Sequence, residues 1–253
     1  MTDAGSQFPL AVDEHGPEHG PTVVLVHGVL DRARAFRRVV DELGDLRVVT
    51  YDRRGYGRSL SALPARSLDD HCRDLLHVIG ERDVTVVAHS FGAHVAVLAA
   101  LAAPARITSV GLWEPPVPWM EVWPEEARAN IAAIARSADP EKIGERVYRS
   151  MIGEEAWERL DEPTRALRRA EGFAFTTDMS CELEAPYQWE DLAVPCIIGY
   201  GGQTWPYAYR AARHVAGILG CPTFTIDDAT HGAHVTDPPR FAEFVRLAVA
   251  LGA

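Results

Sequence analysis

The stretch Val84-Thr-Val-Val-Ala-His-Ser90-Phe-Gly92 determines how the rest of the chain is interpreted. Its first half is a β-branched run of the kind that forms a buried strand. An Ala-rich run of strong helix formers, residues 93–103, follows at once. A strand that becomes a helix within two or three residues must pass through a tight turn. The small residues Ala88 and Gly92 relieve the clash between the two backbones there.

Ser90 is the apex of this predicted turn. A side chain at that position is exposed at the carboxyl end of a strand, above the N-terminus of a helix. These are the requirements for a serine nucleophile whose oxyanion intermediate is bound by backbone N–H groups. The alternative is an ordinary strand-to-helix connection in which the serine caps the helix.

The composition is that of a globular protein with one large domain. The chain has 253 residues, of which 47% are hydrophobic and 24% charged, and its net charge is −11. An acidic excess argues against nucleic acid and anionic membranes as partners. No apolar run approaches the ~18 residues of a membrane span, and the N-terminus has no features of a signal peptide. We therefore expect a cytoplasmic, soluble monomer or homodimer that binds a small-molecule substrate.

The cysteines are sparse and show neither a CxxC pair nor a spacing typical of metal ligands. We expect free thiols, no metal site and no cofactor. The four cysteines are Cys72, Cys181, Cys196 and Cys221.

Strand and helix patterns alternate at both ends of the chain. This alternation predicts an α/β fold with a mostly parallel, doubly wound sheet covered by helices. Besides the strand before Ser90, we expect strands at Thr22–Val26, Arg47–Tyr51, Ile107–Trp113 and Thr223–Ile226, and a weaker edge strand at residues 8–12. Residues 194–202 are predicted to be a strand that meets a glycine-rich turn.

Residues 117–189 differ from their surroundings because strand patterns are absent from them. Four amphipathic helices with acidic first turns are predicted there, at residues 125–137, 140–151, 154–160 and 164–172. A helical stretch of about 70 residues between two strands indicates an inserted cap. The core is then formed by residues 1–116 and 190–253.

A serine is a poor nucleophile at neutral pH unless a base lies within hydrogen-bond reach and an acid orients that base. His231 is the first candidate base, because it lies between the last predicted strand and the last predicted helix. Such a loop lies at the same carboxyl edge of the sheet as Ser90. The alternative is a surface histidine without a catalytic role.

Together these motifs resemble the α/β-hydrolase superfamily, in its cap-bearing esterase, lactonase and haloperoxidase-like branch. The matching residues are His27-Gly28, the loop Asp52-Arg-Arg-Gly-Tyr-Gly-Arg-Ser59, the turn at Ser90, and His231 before the terminal helix. The resemblance implies an eight-stranded type of sheet, Ser90 as nucleophile and His231 as general base. It also implies an oxyanion hole formed by the backbone N–H groups of Val29 and Phe91.

The acid of the triad departs from the usual pattern of this family. Members usually carry an Asp just after the penultimate strand, but that turn reads Gly199-Tyr-Gly-Gly-Gln-Thr-Trp205 here. Some members carry the acid one strand later, after the strand that follows the helix beginning at the Ser90 turn. Glu114 stands at that position in this chain. The resemblance therefore implies Glu114 as the acid. A triad without an acid, or with one of Asp227, Asp228 and Asp178, remains an alternative.

The expected function is that of a cofactor-free serine hydrolase. It would cleave an ester, thioester or lactone of a small, largely apolar molecule through an acyl-enzyme. A serine at the turn between the strand and the helix, Ser90, argues against haloalkane dehalogenase and epoxide hydrolase chemistry, because both need a carboxylate nucleophile at that position. The alternatives are a haloperoxidase-like enzyme, which keeps the serine triad, a C–C bond hydrolase, and a ligand-binding protein that has little or no activity.

Five residues are expected to contact substrate: His27, Gly28, Trp119, Met120 and Trp123. Of these, Trp119, Met120 and Trp123 follow Glu114 in the chain. They either line the entrance of an apolar pocket or pack between cap and core.

Overall fold

The structure is a computed structural model that describes residues 10–183 and 186–253. Within these residues, seven strands form one sheet in the order β1-β3-β2-β4-β5-β6-β7. β1 pairs antiparallel with β3, and all other neighbours are parallel. The strands are β1 (Val12–His15), β2 (Thr22–Val26), β3 (Arg47–Tyr51), β4 (Val84–His89), β5 (Ile107–Trp113), β6 (Cys196–Gly201) and β7 (Thr223–Ile226).

Helices connect the strands and cover both faces of the sheet. They are α1 (Arg37–Asp41), α2 (Leu68–Ile79), α3 (Gly92–Ala102), α4 (Glu125–Ala135), α5 (Pro140–Ile152), α6 (Glu154–Glu158), α7 (Glu162–Ala170), α8 (Gly172–Glu182), α9 (Pro206–Leu219), α10 (Ala233–Thr236) and α11 (Pro238–Leu251). Apolar residues of α2, α3 and α9 pack on one face. Those of α1 and α11 pack on the other. β2 and β4 are therefore buried on both sides, which explains their continuous apolar sequences.

The predicted α/β fold with a mostly parallel sheet is confirmed. Four strand predictions match β2, β3, β5 and β7, whereas β6 begins at Cys196 instead of residue 194. The predicted edge strand is present as β1 but lies later in the chain, and within the described residues the two ranges share only Val12. Residues 8–9 lie outside the described residues, residues 10–11 are not in a strand, and β1 begins at Val12. The described chain has seven strands instead of the eight implied by the family resemblance.

Five helices, α4 to α8, lie between β5 and β6. Four of them match predicted helices, with ends displaced by up to two residues. Helix α8 was not predicted, because it is buried on most sides and has no polar face that would reveal a helical period. The division into a core and a cap at residues 117–189 stays a prediction.

Buried polar contacts join the α5–α8 region to the loops that follow β2 and β3. Glu171 accepts hydrogen bonds from Arg32 at 3.1 Å and from the Gly57 N–H at 2.9 Å. Tyr148 donates to the backbone carbonyl of Leu30 at 2.7 Å. These contacts matter because the loop after β2 carries the predicted oxyanion-hole residue Val29. None of the helices in the described residues is long and apolar enough to cross a membrane.

Candidate active site

A strained turn joins β4 to α3 at Ser90. The backbone of Ser90 lies in the left-handed region, with φ of 55°, which is unfavourable for a residue with a side chain. Its N–H donates to the carbonyl of Trp113 at 2.9 Å and so ties the turn to the end of β5. At Gly92 a Cβ atom would lie 2.7 Å from the carbonyl oxygen of Val26. Glycine at this position thus lets α3 begin directly against β2.

His231 and Glu114 meet across the carboxyl edge of the sheet. The Nδ1–H of His231 donates to Glu114 Oε2 at 2.7 Å. This bond places the proton on Nδ1, so Nε2 is the acceptor nitrogen of the ring. The Glu114 carboxylate is buried, whereas the side chain of His231 is 27% exposed. Glu114 has a φ of 46°, so the acid, like Ser90, follows its strand in a strained conformation.

The turn after β6, where the family resemblance places an acid, supplies donors to Glu114 instead. The Thr204 hydroxyl donates to Oε2 at 2.7 Å, and the Gly201 N–H donates to Oε1 at 2.8 Å. Both carboxylate oxygens are therefore fixed. The alternative acids lie elsewhere: Asp227 and Asp228 are exposed, and Asp178 is paired with Arg53 at 2.8 Å.

Two donors hold the backbone carbonyl of His231. His89 Nε2–H approaches it at 3.0 Å and Trp113 Nε1–H at 3.1 Å. Burial keeps the pKa of His89 well below its ordinary range, so its imidazole stays neutral. Beneath it, His234 donates to Asp31 Oδ2 at 2.9 Å. These hydrogen bonds therefore fix the position of the loop that carries His231.

Asp31 was not predicted as a site residue, because no motif connects it with residues two hundred positions later. In the described chain, the group whose ligand atoms lie close enough to coordinate a metal ion consists of Asp31, His89 and His234, with those atoms within 4.8 Å of one another. The bonds of His89 to the His231 carbonyl and of His234 to Asp31 explain the cluster as support for the His231 loop.

The loop after β2 lies directly against Ser90. A Cβ atom at Gly28 would come within 3.0 Å of the Ser90 Cβ atom, so only glycine allows this approach. Within the described residues, the N–H groups of Val29 and Phe91 donate to no protein acceptor. Both predicted oxyanion-hole donors therefore remain available.

His27 was predicted to contact substrate, but the structure places its side chain in the interior. Its Nε2 accepts the backbone N–H of Arg53 at 2.9 Å, and Nδ1 donates to the Gly28 carbonyl at 2.7 Å. Burial and the charge of Arg53 lower the pKa of His27 to about 4. A neutral ring with both nitrogens occupied supports the loop and leaves neither nitrogen for a substrate.

The other predicted substrate-binding residues, Trp119, Met120 and Trp123, lie in the segment between β5 and α4. Trp119 is half-buried beside His94, with ring centroids 5.5 Å apart, and Met120 is half-buried in the same apolar cluster. Trp123 packs edge-on against Tyr207 at 4.8 Å. For Trp123 this corresponds to the packing alternative.

Trp205 lies beside the candidate base His231. Its ring is 5.3 Å from that of His231 and stacks parallel to Tyr207 at 5.9 Å. The residue is 53% exposed, which is unusual for a tryptophan beside a polar site. Its place directly after Thr204 in the glycine-rich turn was the available signal in the sequence.

A strained serine at a strand-to-helix turn and a histidine–carboxylate pair at the same edge of a parallel sheet define a hydrolase-type site on an α/β fold. The chain belongs to the alpha/beta hydrolase family, whose model matches residues 23–244. The family model and the mostly parallel sheet therefore agree on the class of protein.

Among curated proteins, this chain is similar to lipase LipV of Mycobacterium tuberculosis, with 29% identity over 157 residues that cover 61% of this chain and 58% of the lipase. It is also similar to a putative carbamate hydrolase, RutD, of Variovorax paradoxus, with 33% identity over 43% of this chain and 44% of the relative. The matches thus span about half the length of these relatives.

Solved structures share the fold over nearly the whole chain. The enol-lactonase from Burkholderia xenovorans has a TM-score of 0.72 at 20% identity, covering 95% of this chain and 96% of the lactonase. A thermophilic esterase from Thermogutta terrifontis has a TM-score of 0.72 at 21% identity, covering 94% of this chain and 92% of the esterase.

Proposed function

We propose that the protein is a serine hydrolase that cleaves an ester, thioester or lactone of a small, largely apolar substrate through an acyl-enzyme. The observation that carries the proposal is the contact between His231 and Glu114 at 2.7 Å, with Thr204 and Gly201 fixing the carboxylate. A base oriented in this way is what a serine nucleophile needs.

Each residue of the proposed mechanism has one role. Ser90 attacks the substrate carbonyl, and His231 Nε2 takes its proton and returns it to the leaving group. Glu114 holds the imidazole and stabilises the imidazolium. The N–H groups of Val29 and Phe91 bind the oxyanion of the tetrahedral intermediate, and this interaction contributes most when its donors are fixed in advance. Water then hydrolyses the acyl-enzyme by the same steps.

The chemical class of the substrate rests on the relatives and on the aromatic surroundings of the site. One relative is named a lipase, and fold neighbours are named an enol-lactonase and an esterase. Trp205 offers an exposed apolar surface beside His231. These observations favour a carboxylic ester or lactone with an apolar portion. The proposal of a small-molecule substrate, as opposed to a polymer partner, follows from the same surroundings.

A ligand-binding protein without activity was the main alternative, and it depended on a His231 that lacks an acid. The contact with Glu114 counts against that condition. The C–C bond hydrolase alternative keeps the same triad and differs only in the bond that is cleaved.

The test measures turnover of short-chain p-nitrophenyl esters, a thioester and a lactone by the wild type, Ser90→Ala and Glu114→Gln. We expect wild-type turnover with a burst, no turnover by Ser90→Ala, and a loss of about 10²- to 10⁴-fold in kcat for Glu114→Gln. Equal activity of wild type and Glu114→Gln would show that the acid is misassigned. Absence of turnover on every substrate, with a retained ligand, would favour the binding-protein alternative.

A further inference from the structure

Arg53 is a buried cation directly beneath the candidate oxyanion hole. Its side chain is completely buried, immediately after Asp52 at the end of β3. Nε donates to the His27 carbonyl at 3.0 Å, and a terminal nitrogen donates to the Gly28 carbonyl at 2.9 Å. The guanidinium also lies over the ring of Phe91, 4.7 Å from its centroid. It thus contacts both parts of the chain that supply the proposed oxyanion donors.

The Gly28 carbonyl and the Val29 N–H belong to the same peptide group. In a planar trans peptide these two groups point in opposite directions. A donor that fixes the carbonyl therefore also fixes the direction of the N–H. The Gly28 carbonyl accepts two such donors, Arg53 and His27 Nδ1–H, and one of them is positively charged. Hydrogen bonds that are linked through one peptide group polarise one another. Donation to the Gly28 carbonyl therefore makes the Val29 N–H a stronger donor.

Helix α8 holds Arg53 in place. Asp178 accepts from Arg53 at 2.8 Å, from the Tyr56 hydroxyl at 2.8 Å and from His71 Nε2 at 2.8 Å. Burial alone would raise the pKa of Asp178, but the charge of Arg53 and the contact with His71 lower it to about 2. The carboxylate is therefore ionised at neutral pH and balances the buried guanidinium.

We infer that Arg53, fixed by Asp178 of α8, is a positioning residue that orients and polarises the Gly28–Val29 peptide for oxyanion binding. The inference rests on the proposed function, because it assigns the Val29 N–H to the oxyanion. Through Arg53, helix α8 affects the chemical step, although no residue of α8 needs to contact the reacting atoms.

The test compares two double variants. Arg53→Met with Asp178→Asn removes both charges together, so neither is left buried without a partner. The Asn amide accepts from one of Tyr56 and His71 and donates to the other, because a tyrosine hydroxyl and a neutral imidazole nitrogen can each also accept. The matched control is Arg54→Met with Asp74→Asn, which removes the neighbouring ion pair, with N···O of 2.6 Å, that does not touch Gly28. Thermal unfolding first establishes that both variants are folded.

The readouts are kcat and KM for p-nitrophenyl butyrate and inhibition by an alkyl trifluoromethyl ketone, which forms an oxyanionic adduct with an active-site serine. For the Arg53/Asp178 variant we expect kcat and the affinity for the ketone to fall together by about 10- to 100-fold, with KM within about threefold of wild type. The control should retain wild-type values. Arg53→Lys, which keeps the charge and loses the fork, should give an intermediate loss and serves if the double variant does not fold.

The outcomes separate the two proposals. If Ser90→Ala is inactive and the Arg53/Asp178 variant behaves like its control, the inference about Arg53 is wrong and the proposed function stands. If Ser90→Ala retains wild-type activity, the proposed function is wrong, and the inference fails with it. Equal losses in both double variants would indicate a general structural effect and would also overturn the inference.

Discussion

Thr204 stands in the turn where the family resemblance places an acid, and its hydroxyl donates to Glu114 Oε2 at 2.7 Å. Thr204→Val removes this donor without changing the shape of the side chain. The carboxylate then loses one of the bonds that aim it at His231, so we expect kcat to fall about 3- to 10-fold while KM stays unchanged. Steady-state kinetics check this, with Thr204→Ser as the control that keeps the hydroxyl. A kcat as low in Thr204→Ser as in Thr204→Val would contradict it.

Trp205 places its ring beside that of His231, and the residue is 53% exposed. Trp205→Ala removes a surface on which the apolar part of a substrate would pack. We expect KM to rise about 5- to 30-fold for an octanoate ester and less for an acetate ester, with kcat changed little. Trp205→Phe should keep most of the affinity. A KM that is independent of chain length would argue against this role.

Residue identities predicted the candidate nucleophile and base from local motifs, but the acid depended on which loops meet in space. Glu114 was one of several candidate acids, because chain spacing does not reveal that β5 and β6 are neighbours whose ends converge on His231. His27 shows the opposite case. Its motif predicted a place near the substrate, but the ring turns inward to bind the Arg53 amide, which only the packing of β2 against β3 determines.

At the scale of elements, the turn at Ser90 depends on how closely α3 approaches β2. A Cβ atom at position 92 would lie 2.7 Å from the Val26 carbonyl oxygen and 2.9 Å from that of His27. Both atoms belong to the backbone, so Gly92→Ala must separate strand and helix. We expect a loss of about 1–3 kcal/mol in unfolding free energy, measured by urea denaturation, together with loss of esterase activity. Activity falls because displacing the end of β2 also moves the following loop, which carries Val29.

Gly217 provides the matched control, since it lies inside α9 and a Cβ atom there would meet no atom within 4 Å. Gly217→Ala should leave activity intact and leave stability unchanged or raise it by about 0.5–1 kcal/mol. If Gly92→Ala is as stable and active as Gly217→Ala, the tight approach is not required.

The presence of an element was predictable where a continuous apolar run lies between turn residues or where polar and apolar residues repeat with a clear period. The strand β2 is a continuous apolar run between turn residues, and α7 has a strongly polar outer face. Helix α8 combines Gly, Phe and Thr, which are moderate or poor helix formers, and buries Asp178 and Glu182. Its stability comes from packing and buried ion pairs with partners far away in the chain, which no local window contains.

At the scale of the whole molecule, the helical region and the sheet share one apolar cluster and are also joined by buried charges. Arg53 pairs with Asp178, and Glu171 pairs with Arg32. Such contacts link the conformation of α8 to the loops after β2 and β3. A pH that changes the ionisation of the buried carboxyl groups of α8 should therefore change the free energy of unfolding of the protein.

Glu182 on α8 is the group through which pH should act. It is buried and makes no hydrogen bond to the described residues; burial and, secondarily, the charge of Asp178 raise its pKa from 4.5 to about 8. Between these two values the folded protein holds a proton that the unfolded chain releases. This group's contribution to stability is therefore fully present below about pH 4.5, falls as pH rises towards 8, and is lost above it.

Glu182→Gln removes this titration and keeps the shape of the side chain. We expect the variant to exceed the wild type in unfolding free energy by roughly 2–4 kcal/mol more at pH 9 than at pH 5, as measured by urea denaturation at both values. Glu121→Gln, at an exposed position of the same region, controls for the loss of one negative charge. If the difference between Glu182→Gln and wild type is the same at pH 5 and pH 9, Glu182 is ionised in the folded protein across this range. Its burial in α8 would then not link stability to pH.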